Sequence, residues 1–160
     1  MKLQSFLQKK ISKGQKTAII GVGSVLRSDD CAGMHFIEKL SSYIQNENML
    51  LIGGSTAPEN FTGVIKNFAP DRLFIVDAAH MGLNVGEIHV LDILEIDGIS
   101  FSTHMLPLPV MLEFLKLEIG CEVICIGIQP KNTELGFSMC EEVAAASENL
   151  AKMFCEAFNG

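Results

Sequence analysis

The chain has 160 residues, of which 48% are hydrophobic and 19% charged, with a net charge of −7 at pH 7. This length is typical of one domain, and this much apolar material supports a packed core, which excludes a disordered protein. The longest segment without a charged residue, 98–112, contains two prolines and is too short to cross a bilayer, so no transmembrane helix is expected. The N-terminus lacks the long apolar core and cleavage site of a secretory signal.

The charge is unevenly spread. Residues 1–16 hold five lysines and no acid, whereas the rest of the chain has seven basic residues against 19 acidic ones, a net charge of −12. An acidic body argues against nucleic-acid binding, which needs a basic surface. We interpret 1–16 as a basic amphipathic leader helix and 17–160 as a single domain. Contact of the leader with an acidic partner is the less favoured alternative.

The five cysteines are odd in number and irregular in spacing, which favours a reducing, cytoplasmic location. Cys121 and Cys125 fall in a predicted strand, where at ~3.3 Å per residue their Cα atoms lie ~13 Å apart, too far to share a metal. They are predicted to be small buried hydrophobic residues.

In the first half of the chain, apolar residues recur at helical spacing over 2–12, which predicts a short amphipathic helix. A buried strand is predicted at 17–22 and a helix at 31–46. A second strand follows at 49–52, and a short helix at 61–68 ends before Pro70.

In the second half, a third strand is predicted at 73–76, and Asp77 follows directly after it. Residues 87–91 alternate between polar and apolar, as in an edge strand. A helix is predicted at 109–119, a fourth buried strand at 122–128 and a last helix at 138–158. The last helix opens with Ser138 and Glu141 in a capping-box pattern. Residues 92–105 fit either strand or loop.

Buried strands that alternate with helices predict an α/β fold. We expect a three-layer helix–sheet–helix sandwich around a twisted, mostly parallel sheet of about five strands. In such sheets ligands bind at the carboxyl ends of the strands.

The glycine loop after the first strand, Gly21 to Gly33, does not fit a dinucleotide site. Leu26 stands where the third glycine is needed, and Asp29 and Asp30 are poor neighbours for a pyrophosphate. Both aspartates could cap the following helix, but one suffices for that, and the second would then point into the cleft.

Asp77, at the end of a buried strand, either bonds to a neighbouring loop or serves as an active-site carboxylate. Together, Asp30, Asp77 and His104 form two carboxylates and an imidazole from three loops. Such a set can hold a divalent transition metal or perform acid–base hydrolysis. His80, placed one helical turn after Asp77, is a possible backup ligand. The loop 53–60 is either a turn with a helix cap or one wall of a substrate groove.

Several motifs in this order resemble those of the nickel–iron hydrogenase maturation endopeptidases, most closely the hydrogenase-3 type. They are Ile20-Gly21-Val22-Gly23, Asp29-Asp30, Gly53-Gly54-Ser55, Ala57-Pro58-Glu59-Asn60, Leu73 to Asp77, Met81-Gly82-Leu83-Asn84, Gly86-Glu87-Ile88, Ser102-Thr103-His104 and Gly127-Ile128-Gln129-Pro130. The resemblance begins near Thr17 and leaves out the leader.

The resemblance implies cleavage of a C-terminal extension from the precursor of a hydrogenase large subunit, after nickel has entered the precursor. It places metal contacts on Asp30, Asp77 and His104, with Asp30 and Asp77 catalytic in an aspartic-type endopeptidase. Nickel is expected to arrive with the substrate instead of residing in the enzyme. We expect a monomer without membrane insertion.

The substrate is also expected to contact five residues from three of these motifs: Gly21, Gly23, Glu59, Asn60 and Gln129. Two positions depart from the family pattern. Ser24 replaces the usual asparagine and loses a loop-bracing amide, and Cys31 replaces the usual glycine and puts a thiol beside Asp30, in a position to compete for nickel.

Two alternatives use the same fold. A non-catalytic nickel chaperone or docking protein would bind the precursor without shortening it. A hydrolase with its own permanent metal would contain stoichiometric metal and act on a small substrate without any precursor.

Overall fold

The structure is a computed structural model that describes residues 2–91, 100–101 and 108–160. Its helices are α1 (Lys2–Lys10), α2 (Ala32–Tyr43), α3 (Thr62–Phe68), α4 (Leu108–Ile119) and α5 (Glu141–Asn159). Its strands are β1 (Thr17–Val22), β2 (Met49–Ser55), β3 (Arg72–His80), β4 (Ile88–Leu91), β5 (Ser100–Phe101) and β6 (Glu122–Ile128). Short 3₁₀ turns at Ser28–Cys31 and Pro58–Phe61 lead into α2 and α3.

The sheet confirms the predicted architecture. Its strand order is β2-β1-β3-β6-β4, with β5 paired to β3. The pairs formed by β1 with β2, β1 with β3 and β3 with β6 are parallel, whereas β4 and β5 pair antiparallel with β6 and β3. β1 and β6 have the predicted bounds, while β2 and β3 extend further toward the carboxyl edge than their apolar runs.

Helices cover both faces of the sheet. On one face, α1, α2 and α5 pack on alternate residues of β1, β3 and β6, and the rings of Phe36 and Phe74 meet Phe154 edge-to-face at 5.2 and 5.0 Å between centroids. On the other face, a second apolar cluster includes Ile65 of α3 and Leu115 of α4. Cys121 and Cys125 are buried in this second cluster, as expected of small hydrophobic residues.

None of the helices in the described part of the chain combines the length and the apolar composition that crossing a membrane requires. The prediction for 92–105 falls mostly outside the described residues, apart from the two residues of β5.

The basic leader is anchored to the body. In α1, Leu7 is fully buried against the α2–α5 layer, and Ile11 just after it is 6% exposed. Lys10 and Arg72 both pair with Glu122 at 2.7 Å, and their hydrogen bonds lower the pKa of that carboxyl. The segment therefore contributes to the core as well as carrying positive charge.

We predict that Leu7→Ala lowers the free energy of unfolding by about 2–5 kcal/mol, because it empties a fully buried site. Urea unfolding measures the change. The control is Leu117→Ala, at a side chain that is 79% exposed, which we expect to cost less than about 0.5 kcal/mol. Equal stability of the two variants would show that α1 does not pack on the body.

Candidate functional site

Asp30 and Asp77 lie at the same edge of the sheet, where the parallel strands end. Gly33, at the start of α2, sits against the main chain of both central strands, and a Cβ there would collide with the carbonyl oxygens of Val22 and Val76. Asp30 is three residues before Gly33, and Asp77 directly follows Val76. The close approach of α2 to β1 and β3 thus holds the turn that contains Asp30 at the edge of the sheet where β3 places Asp77.

Asp30 is fully buried in the turn Ser28–Cys31. Its Oδ2 accepts a hydrogen bond from the Ser24 backbone N–H at 2.7 Å, and the Ser24 Oγ accepts one from the Leu26 N–H at 3.2 Å. The loop between β1 and Asp30 is therefore braced by the backbone and hydroxyl of Ser24, in place of the side-chain amide whose loss we expected at this position.

Asp77 is 1% exposed and belongs to β3 itself, not to a loop after it. It lies on the sheet face of Ile75 and Ala79, since Val76 and Ala78 pack in the α2–α5 layer. The burial of Cys125 and the nearby Asp77 carboxylate together raise the pKa of the Cys125 thiol to about 12.

The suggestion that His80 is a backup ligand one helical turn after Asp77 is wrong. Both residues belong to β3, in which side chains alternate between faces, so a spacing of three residues puts them on opposite sides of the sheet. His80 is exposed and pairs with Ser100 of β5.

His104, the predicted third ligand, lies outside the described residues together with Ser102 and Thr103. Its contact with a metal stays a prediction. Among the residues that are described, no group of three or more His, Cys, Asp or Glu side chains could hold a metal ion.

Asp29 does not cap the helix that follows it. Its fully buried carboxylate accepts hydrogen bonds from the backbone N–H groups of Lys131, Asn132 and Cys140 at 2.7, 3.1 and 2.7 Å. Its own N–H donates to the Asn132 carbonyl at 2.9 Å. Asp29 thus ties the loop after β6 to the turn that holds Asp30, a role that an adjacent pair of aspartates does not reveal in sequence.

The capping box predicted at Ser138 and Glu141 is also wrong. α5 begins at Glu141, its N-cap is Cys140, and no side chain caps it. Ser138 instead accepts, through its backbone carbonyl, a hydrogen bond from Ser28 Oγ at 3.0 Å. This hydrogen bond fastens the loop before α5 to the Asp30 turn. The tertiary contact therefore decides the position of Ser138, in place of the capping pattern in the sequence.

The Cys31 thiol contacts the Met139 sulfur at 3.6 Å. Burial and the neighbouring carboxylates of Asp29 and Asp30 raise its pKa. The thiol is therefore protonated at neutral pH, the form that is the weaker metal ligand.

Three predicted substrate contacts also have structural roles. Gly21 packs against Gly33 and Ile37, and Gly23, at a φ of +138°, packs against the main chain of Asp30. Gln129 is 8% exposed, and its Oε1 accepts hydrogen bonds from the Met81 and Leu83 N–H groups at 2.7 and 3.3 Å. These contacts position the site, and a role in substrate binding stays a prediction for all three.

Glu59 and Asn60 lie in the turn Pro58–Phe61, which follows β2 at the same sheet edge as Asp30. Asn60 is exposed. Glu59 Oε2 is buried and accepts no hydrogen bond from any of the described residues. A role of Glu59 and Asn60 in substrate binding stays a prediction.

Comparison with known proteins identifies the family. The model of the HycI hydrogenase maturation protease family matches residues 34–157. The chain is 38% identical to the hydrogenase 3 maturation protease of Escherichia coli over 133 residues, covering 82% of this chain and 84% of that protein. The chain belongs to the hydrogenase maturation protease family.

Two archaeal proteins extend the hydrogenase maturation protease match along the chain. A putative hydrogenase maturation protease of Methanocaldococcus jannaschii is 34% identical over 161 residues, covering 96% of this chain and 95% of the relative. The crystal structure of a [NiFe] hydrogenase maturation protease, HycI, from Thermococcus kodakarensis superimposes with a TM-score of 0.88 at 31% identity, covering 97% of this chain and 99% of that one. With that coverage, segment 1–16 does not lie wholly outside the match, contrary to our expectation.

Membership of the hydrogenase maturation protease family confirms the predicted fold and the assignment to the peptide-hydrolysing enzymes. The non-catalytic alternative receives no support from these relatives, which are named as proteases.

Proposed function

We propose that this chain is the endopeptidase that removes the C-terminal extension from the nickel-loaded precursor of a nickel–iron hydrogenase large subunit. The observation that carries the proposal is the placement of two buried carboxylates, Asp30 and Asp77, at one sheet edge in a chain of this family. Two carboxylates at one edge of a cleft can hold and accept protons during attack on a peptide bond.

The precursor's nickel is the feature by which the enzyme recognises its substrate. Two carboxylates and one imidazole, from Asp30, Asp77 and His104, are hard-to-borderline donors, and a set of three without a thiolate holds nickel loosely. Cysteine ligands in the precursor would supply the soft donors. Metal, substrate and protease would therefore meet only in the complex, in the cytoplasm, where cysteines stay reduced.

Within this complex, Asp30 and Asp77 act as the catalytic carboxylates of an aspartic-type reaction. The Ser24 N–H donates a hydrogen bond to Asp30 Oδ2 at 2.7 Å and thereby fixes the orientation of this carboxyl group. Ionised carboxylate is the form that can take a proton from an attacking water.

We expect the purified protein to shorten nickel-loaded precursor by a discrete C-terminal segment, and to leave nickel-free precursor intact in the presence of a strong chelator. Intact-mass measurement of the precursor after incubation decides this. Cleavage of nickel-free precursor would contradict recognition through nickel while leaving the peptidase assignment in place.

The isolated protein is expected to be largely metal-free by elemental analysis. His104→Ala should weaken binding to loaded precursor far more than binding to empty precursor. Stoichiometric metal in the purified protein, together with cleavage of small peptides, would instead indicate a hydrolase with a permanent metal. Binding of precursor without any loss of mass would indicate a docking protein.

A further inference from the structure

An exposed apolar patch borders the Asp30 turn. It consists of Val25 and Leu26 in the loop after β1, and Leu135 and Phe137 in the loop before α5, with exposed fractions of 66, 67, 66 and 59%. We call these four residues the rim patch. Large apolar side chains that are contiguous and exposed commonly mark an interaction site.

The two loops are joined by backbone hydrogen bonds. The Gly136 N–H donates to the Leu26 carbonyl at 3.1 Å, which places the residues on either side of Gly136 next to Val25 and Leu26. Arg27 Nε donates to the Thr133 carbonyl at 3.2 Å. The rim patch is thus one surface assembled from two distant segments.

The rim patch is held in place by the same residues that build the site. Asp29 binds the 131–140 loop through its carboxylate, and Ser24, next to Val25, donates its N–H to Asp30. The apolar side chains are therefore presented on a braced scaffold, which lowers the entropic cost of binding.

The size and position of the rim patch indicate what covers it. Four side chains cannot supply the roughly 800 Å² per partner that a stable protein–protein interface buries, which argues against a second copy of this chain. Because the rim patch adjoins the Asp30 turn, it is placed to contact a polypeptide segment next to the part that binds at Asp30. A short apolar segment of extended peptide matches both features.

We propose that the rim patch binds an apolar segment of the hydrogenase large-subunit precursor close to the bond that is cleaved. This inference rests on the proposed function, and it adds a peptide-binding element to the metal-directed recognition proposed above. The patch holds the precursor in register, while Asp30 and Asp77 perform the reaction.

The test compares the double variant Leu26→Ser/Phe137→Ser with Leu117→Ser. Leu117 is 79% exposed on α4, near the start of β6 and hence at the opposite end of the sheet, so its substitution controls for the loss of an exposed apolar side chain away from the rim patch. Steady-state cleavage of nickel-loaded precursor and its binding by isothermal calorimetry are measured, with urea unfolding as the check of folding.

We expect the double variant to raise KM and the dissociation constant for precursor at least about tenfold, with kcat within twofold of wild type. Leu117→Ser should change neither. Unchanged KM and affinity in the folded double variant would overturn the proposal. Reduced self-association of the double variant in sedimentation experiments, with unchanged KM, would also overturn the proposal. The rim patch would then be an interface between copies of this chain.

Failure of the proposed function has a different signature. If the wild-type protein binds precursor without cleaving it, the proposed endopeptidase activity is wrong. The precursor affinities of the double variant and of Leu117→Ser then still decide whether the rim patch binds the precursor. Wild-type protein that neither binds nor cleaves precursor contradicts both.

Discussion

Asp30→Asn is expected to lower the rate of precursor cleavage by about 10²–10⁴-fold, the range that a general acid–base group contributes. The amide keeps the shape of the carboxyl and can still accept the Ser24 N–H hydrogen bond, so the fold should survive. What is lost is the negative charge at the carboxyl edge and the ability to take a proton.

Asp77→Asn should lower the cleavage rate to a similar extent, since β3 places Asp77 at the same edge of the sheet as Asp30. Rates are measured by intact mass of the precursor over time, with circular dichroism to verify folding. The control is Glu118→Gln, which removes a carboxylate that pairs only with Lys66 on the surface among the described contacts. Normal cleavage by folded Asp30→Asn would show that the site is assigned to the wrong carboxylate.

Asp29→Ala is expected to lower the free energy of unfolding by about 3–5 kcal/mol, because it removes a fully buried carboxylate that accepts three backbone N–H hydrogen bonds. That is a large share of the stability of a domain of this size. A lost helix cap would cost only about 0.5–2 kcal/mol, so the magnitude separates the two roles.

Chemical denaturation of Asp29→Ala and Asp71→Ala provides the comparison. The exposed Asp71 carboxylate accepts one described hydrogen bond, from the Lys16 N–H at 2.8 Å, and its loss should cost about 1 kcal/mol. Asp29→Asn should fall between wild type and Asp29→Ala, because the amide oxygen still accepts. A loss at Asp29 no larger than at Asp71 would contradict the anchoring role of Asp29.

The contrast between these neighbouring aspartates shows where sequence reasoning stops. In sequence, Asp29 and Asp30 are equivalent candidates for helix cap and site residue. The structure separates them, because the turn Ser28–Cys31 directs Asp29 into the 131–140 loop and Asp30 toward Ser24. About one hundred residues of chain separate Asp29 from its hydrogen-bond partners, so no local sequence pattern could indicate these contacts.

Local periodicity determined most of the secondary structure. The buried runs at Thr17–Val22 and Glu122–Ile128 were predictable because strands in the middle of a parallel sheet are apolar on both faces. The same rule placed the ends of β2 and β3 too early, since both strands continue into Gly53 and Asp77, whose residue types are not typical of a buried strand.

The sequence by itself determined the α/β fold and, through motifs in a fixed order, the hydrogenase maturation protease family. It also put Asp30 and Asp77 at strand ends, where this architecture binds ligands. Only the tertiary structure decided that Gly33 seats α2 between Val22 and Val76, that Asp29 is an anchor, and that two loops combine into the rim patch. The physical reason is that helix and strand periodicity arises from neighbours within a few residues, whereas hydrogen bonds between loops depend on how the whole sheet brings distant segments together.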